Sequence, residues 1–402
     1  MSPMHRNPPL SQSAARIRPA VFADLQARID GLAARGVELV PLHIGDTHLA
    51  PPEAARRAVD ALGGGEADLF RYGATAGLAP LRDAMARALA ARGLEVDPGS
   101  EILVGNGGTH ALYCAARAVL DPGDEVLLAS PYWPLAPGVF TSAGGATVEV
   151  PLTQRLYEEP SLDPAAVLGA AVTPRTKAIY VISPNNPDGK VLSPAQLERI
   201  AQVAREHDLW VFSDEVYADH VFDGAHASIA TLPEMRERTI VLHSLSKSHA
   251  LAGARVGFAA APEPVVAAGR RVSTHTAFNV SVAMQRAALA ALSDDGFPRA
   301  ARDDYRAARD EAARALSGSG ARFHLAEGGT YLFLDFADVL GGRPLRALLE
   351  AAVDRGVLLA PGGAFGDAYA THARLCFTSV PRDRLLVGIE RLRAAVDDLG
   401  RT

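Results

Sequence analysis

Ala178-Ile179-Tyr180-Val181-Ile182, a helix-period stretch over residues 193–207, and Trp210-Val211-Phe212 decide the fold of this chain. The first and last are short apolar runs rich in β-branched and aromatic residues, and the segment between them has helical spacing. Two strands joined through a helix run parallel. Runs that are apolar throughout, rather than alternating, belong to strands covered on both faces.

The same grammar extends outward. Ile102-Leu103-Val104, Glu125-Val126-Leu127-Leu128, Ile240-Val241-Leu242 and Gly257-Phe258-Ala259 are further short runs, and residues 108–120 have helical spacing. The expectation is an α/β fold, a mostly parallel sheet sandwiched by helices, with ligands beyond the carboxyl ends of the strands. The pattern changes after helical stretches at 283–292 and 298–316. Strand-like 330–336 and 374–378 then accompany helices at 344–355 and 383–399, a smaller α+β lobe with an antiparallel sheet. A helix over 19–35 is expected to pack with it. The division expected is 1–45 (arm and helix, joined to the small domain), 46–295 (large domain) and 296–402 (small domain). Gly63-Gly64-Gly65 is a local break, not a linker.

The chain has 402 residues, a hydrophobic fraction of 48% and a net charge of −6, enough for two sizeable cores and too acidic for a nucleic-acid partner. No segment approaches the ~20 apolar residues of a membrane span. Met1 to Pro19 lacks an apolar stretch and reads as an arm, not a secretory signal. Cys114 and Cys376 sit in apolar segments and read as buried thiols of a reducing, cytoplasmic compartment. No Cys/His cluster has metal-ligand spacing.

Only three of the 40 lysine and arginine residues are lysine: Lys177, Lys190 and Lys247. Where a bare positive charge suffices, arginine serves. A lysine kept in such a chain suggests a need for an amine that can lose its proton, as a Schiff base with an aldehyde requires. Lys247 lies in Ser244-Leu245-Ser246-Lys247-Ser248, with Arg255 eight positions on. That setting suits a phosphate beside a reactive amine. Gly107-Gly108-Thr109 opens the helix at 108, where free N–H groups also face an anion. No G-x-G-x-x-G follows the early strand and no G-x-x-x-x-G-K-[ST] occurs, so nucleotide phosphate is a poor fit.

In order, Ser183-Pro184-Asn185-Asn186-Pro187-Asp188-Gly189-Lys190, Ser213-Asp214-Glu215-Val216-Tyr217, Ser244 to Lys247 with Arg255, and Arg374 resemble the class I/II aminotransferases. These are pyridoxal 5′-phosphate (PLP) enzymes of fold type I. The resemblance implies a seven-stranded, mostly parallel sheet and a ping-pong transfer of an amino group from an L-amino acid to a 2-oxo acid. By the same resemblance Lys247 carries the cofactor and moves the proton. Asp214 meets the pyridine nitrogen, and Tyr217 and Asn186 meet the phenolic oxygen. Gly107, Gly108, Thr109, Ser244, Ser246 and Arg255 hold the phosphate, and Trp133 stacks on the ring. Arg374, Asn186 and Gly45 hold the substrate α-carboxylate. Tyr72 reaches the site of a neighbouring subunit, which implies a homodimer.

Each residue also has a plainer reading. Asp214 can cap a turn, Asn186-Pro187 and Asp188-Gly189 are turn signals, Arg374 can be a structural ion pair, and Trp133 can be core. His43, His48, His110 and His275 could line a substrate pocket, but scattered histidines are more often structural, and none is expected to be catalytic. Asp188 stands where relatives most often have threonine, and Thr109 where some have lysine. Asp46-Thr47-His48-Leu49 departs from the acidic-Pro-Asp-Phe sequence frequent in relatives. No position clearly supplies a cation for a second substrate carboxylate, which disfavours aspartate as donor. Two rival functions remain at this point. One is a PLP-dependent carbon–sulfur β-lyase or related eliminating enzyme on the same fold. The other is a non-enzymatic regulator, disfavoured because only about 40 residues precede the match.

Overall fold

The computed structural model describes residues 10–18, 26–64 and 67–400. Most of the expected arm, part of the expected 19–35 helix and Gly65 lie outside them; Gln26–Ala34 is helical.

Seven strands form the central sheet: β1 Ile102–Asn106, β2 Glu125–Ser130, β3 Ala146–Pro151, β4 Thr176–Ile182, β5 Trp210–Asp214, β6 Thr239–Ser244 and β7 Val256–Ala260. Their order is β1-β7-β6-β5-β4-β2-β3. Every pairing is parallel except the two made by β7, which runs against both β1 and β6. The sheet is layered as the apolar runs require. Leu128, Tyr180, Phe212 and Leu242 turn to one face, under the helix Gly108–Val119. Leu127, Ile179, Val181 and Val211 turn to the other, under the helix Pro194–Glu206. That helix begins at a capping box: Ser193 Oγ accepts from Gln196 N at 3.2 Å, and Gln196 Oε1 accepts from Ser193 N at 2.9 Å.

The sequence reading missed β3. It is an edge strand, Ala-Thr-Val-Glu-Val-Pro, in which only Val150 is buried. A half-solvated edge carries no continuous apolar run, so the signal that marked its neighbours was absent.

The C-terminal part builds a second core around an antiparallel sheet of Tyr331–Asp335, His372–Cys376 and Ala360–Pro361, with His372–Cys376 central. Helices Phe297–Leu316, Leu345–Asp354 and Arg382–Gly400 bury Ala308, Leu348 and Leu392 there. The N-terminal chain joins this core. Leu32 and Leu42 are members of it, and Val40–Pro41 pairs in parallel with Val357–Leu358. Arg28 Nε donates to Asp354 at 2.8 Å.

Candidate active site

One cavity of about 180 Å³ opens at the carboxyl ends of the parallel strands. Its lining includes Gly108, Thr109, Trp133, Asn186, Asp214, Tyr217, Ser244, Ser246, Lys247 and Arg255. The topology explains the convergence. Asp214 and Ser244 are the last residues of β5 and β6, Asn186 lies in the loop after β4, and Gly107 caps the helix that follows β1. Arg255 immediately precedes β7. Because β7 is inverted, its first residue lies at the rim where its neighbours end.

Of the three lysines, Lys177 is exposed and Lys190 pairs with Glu327 at 2.7 Å. Lys247 alone lines the cavity, and its Nζ donates to the carbonyl of Gly45. Gly45 is tight: a Cβ there would fall on the hydroxyl of Tyr331.

Asp214 is buried, and burial pushes its carboxyl up to about 6. The Tyr180 hydroxyl, donating to Oδ2 at 2.7 Å, and the Val216 N–H, 3.3 Å from Oδ1, act in the opposite direction. The Tyr217 hydroxyl lies 2.8 Å from the Tyr331 hydroxyl, and burial holds its phenol well above the usual range.

Arg374 is buried at the wall behind Asn186. Its Nη1 donates to Asn186 Oδ1 at 2.9 Å and its Nη2 to the His43 carbonyl at 2.7 Å. The guanidinium lies over the rings of Tyr331 and Phe365, at 4.2 and 4.9 Å. No carboxylate neutralises it among the described residues. Arg255 is similar: Nη1 donates to the Ala252 carbonyl at 2.9 Å, and no carboxylate of the described residues pairs with it. Gly107 has φ +80, and a Cβ there would strike the Arg255 guanidinium.

These donors fit PLP. Arg255, beside Ser244, Ser246 and a helix N-terminus, offers a charge and N–H groups to a phosphate. The buried Asp214 carboxyl matches a protonated ring nitrogen. The Lys247 side chain offers a primary amine in the same cavity.

Tyr72 lies away from this cavity. It is 86% exposed and packs edge-on against Phe278, with ring centroids 4.8 Å apart. Of the histidines, His48 Nδ1 is 3.1 Å from the Thr378 carbonyl, His110 Nδ1 accepts from Asn106 N at 3.2 Å, and His275 Nδ1 is 2.8 Å from the Arg271 carbonyl. Tyr180 and Tyr331 were missed by the sequence reading. Each lies in an apolar strand run, where a tyrosine looks like core; only the side-chain partners reveal the polar end.

A family model described as "Aminotransferase class I and II" matches residues 37–392. A probable aspartate/prephenate aminotransferase of Thermus aquaticus is 35% identical over 393 residues, covering 96% of this chain and 99% of that protein. An arginine–pyruvate transaminase of Pseudomonas aeruginosa is 34% identical, covering 92% of each chain. Among solved structures, the aspartate aminotransferase of Thermus thermophilus with maleate superposes with a TM-score of 0.87 at 33% identity, covering 97% of this chain and all of that one. The chain therefore belongs to the class I and II aminotransferases, PLP-dependent enzymes that move an amino group from an amino acid to a 2-oxo acid.

Proposed function

We propose that the cavity around Lys247 is where this aminotransferase works, with the residues in the following roles. PLP, when bound, supplies the carbonyl carbon that receives the amino group and a ring that withdraws electrons. Lys247 Nζ holds the cofactor and then carries the proton. Asp214 faces the ring nitrogen, Tyr217 and Asn186 the phenolic oxygen, and Trp133 the ring face. Gly107, Gly108, Thr109, Ser244, Ser246 and Arg255 hold the phosphate. Arg374, with Asn186 and Gly45, takes the substrate α-carboxylate in its two-pronged fork. The observation that carries this reading is the meeting of a cavity-lining lysine with a buried aspartate and an arginine that has no carboxylate partner among the described residues.

The cations of the lining are Lys247 and Arg255, with Arg374 behind Asn186. This reading uses all three. Among the described residues none remains in the lining for a second carboxylate, which favours a donor without an acidic side chain over aspartate. The outward-facing pair Tyr72 and Phe278 supports a homodimer in which Tyr72 enters the partner's site. Free, buried Cys114 and Cys376 fit the cytoplasm. Among the described residues no helix is long and apolar enough to cross a membrane.

The test adds single L-amino acids to the holoenzyme and follows conversion of its visible absorption to that of pyridoxamine phosphate. An aromatic, aliphatic or basic donor should convert it faster than aspartate, and Lys247→Ala should convert with none. Ammonia and pyruvate released without that conversion would mark a lyase instead.

A further inference from the structure

Tyr180 sits on β4, one strand from Asp214 and on the same face of the sheet as Phe212. It is fully buried. Its ring stands edge-on to Phe140, centroids 5.4 Å apart, and Phe140 in turn packs on Phe212 at 5.2 Å. An aromatic cage on a rigid central strand therefore fixes where the hydroxyl points. Packing alone would be served as well by phenylalanine, so the hydroxyl calls for its own explanation. Its partner is Asp214 Oδ2, at 2.7 Å. That bond occupies one carboxyl oxygen from beneath. Asp214 itself lines the cavity, whereas Tyr180 does not.

We propose that Tyr180 is a positioning residue for cofactor binding: its hydroxyl fixes the Asp214 carboxyl and keeps it ionised for the ring nitrogen. This rests on the role given to Asp214 above. A donor to a carboxylate favours the charged form, and here it opposes a burial that favours the neutral one. An aspartate that must meet a protonated nitrogen gains from both effects: one rotamer and a retained charge.

The test compares wild type with Tyr180→Phe, which removes one oxygen and keeps the ring. Each holoenzyme is converted to its pyridoxamine phosphate form, which has no covalent tie to Lys247, and the dissociation constant is measured by equilibrium dialysis between about pH 6 and pH 8.5. Without the hydroxyl, Asp214 protonates at higher pH. The dissociation constant should rise about tenfold near the acid end, the scale of one hydrogen bond to a charged group, and the gap should narrow toward the alkaline end. Superimposable pH profiles, even with a lower melting temperature, overturn the inference and leave Tyr180 as a core residue. Asp214→Asn keeps the two levels apart. It should weaken binding across the range and abolish any further effect of Tyr180→Phe. If Asp214→Asn binds as wild type does, the role of Asp214 fails, and the inference with it. If Asp214→Asn weakens binding but Tyr180→Phe still shifts the profile in that background, only the inference about Tyr180 fails.

Discussion

Arg374 and Asn186, 188 positions apart in the chain, meet at 2.9 Å through Nη1 and Oδ1. One belongs to the central strand of the small sheet and the other to the loop beyond β4, so this contact ties the C-terminal core to the rim of the large sheet. A buried guanidinium held by neutral oxygens and aromatic faces keeps its charge uncompensated, which is what a site for a carboxylate needs.

Arg374→Lys keeps the charge and removes the fork. KM for both the amino acid and the oxo acid should rise about a hundredfold, the worth of roughly two hydrogen bonds to a charged group. Steady-state kinetics with either substrate varied checks this. An unchanged KM would exclude Arg374 as the carboxylate clamp.

Gly107→Ala addresses the other anion site. The residue has φ +80, and the added Cβ meets the Arg255 guanidinium. The strained backbone should cost about 1 kcal/mol or more in stability. Displacement of Arg255 should weaken PLP binding as well. Thermal melting and cofactor titration measure the two effects separately, and Arg255→Ala should reproduce the second with little of the first.

Acid should destabilise the fold through buried histidines. Burial lowers both His220 and His243 from 6.5 to about 4. Between those values each is neutral when folded and protonated when unfolded, so the unfolded chain takes up protons and stability falls as pH drops from 6.5 toward 4. Among the described residues neither ring nitrogen of His220 has a hydrogen-bond partner, and the ring lies edge-on to Tyr305. His220→Phe should therefore flatten the loss by about 1–2 kcal/mol between about pH 6.5 and pH 5. Urea unfolding at the two pH values checks it; equal slopes for variant and wild type would refute the assignment.

The sequence made the central sheet legible because its inner strands are buried on both faces and spell it in short, unbroken apolar runs of aliphatic and aromatic residues. The edge strand β3 lacked that spelling. Lys247 stood out in the sequence as a scarce amine with Arg255 eight positions on, whereas Asp214 and Asn186 were assigned by resemblance; the fold brings all four to one cavity. Tyr180, Tyr331 and the Gly45–Lys247 contact were not legible. Their meaning lies in which side chain each one meets, and that is decided by strands and lobes far apart in the chain. The pairing of Arg374 with His43 and Asn186 likewise could be demanded by burial but not located.

Strand β7 reverses direction within an otherwise co-directional sheet. Had it run with its neighbours, Arg255 would have entered at the opposite rim, one strand length from Lys247. Inversion lets one short connection, residues 248–254, carry the backbone from amine to guanidinium without a long crossover. Two turns set the length of that connection, with Leu251 N donating to the Leu245 carbonyl and Ala254 N to the Leu251 carbonyl, both at 3.1 Å, so an inserted residue there should shift the guanidinium relative to the amine.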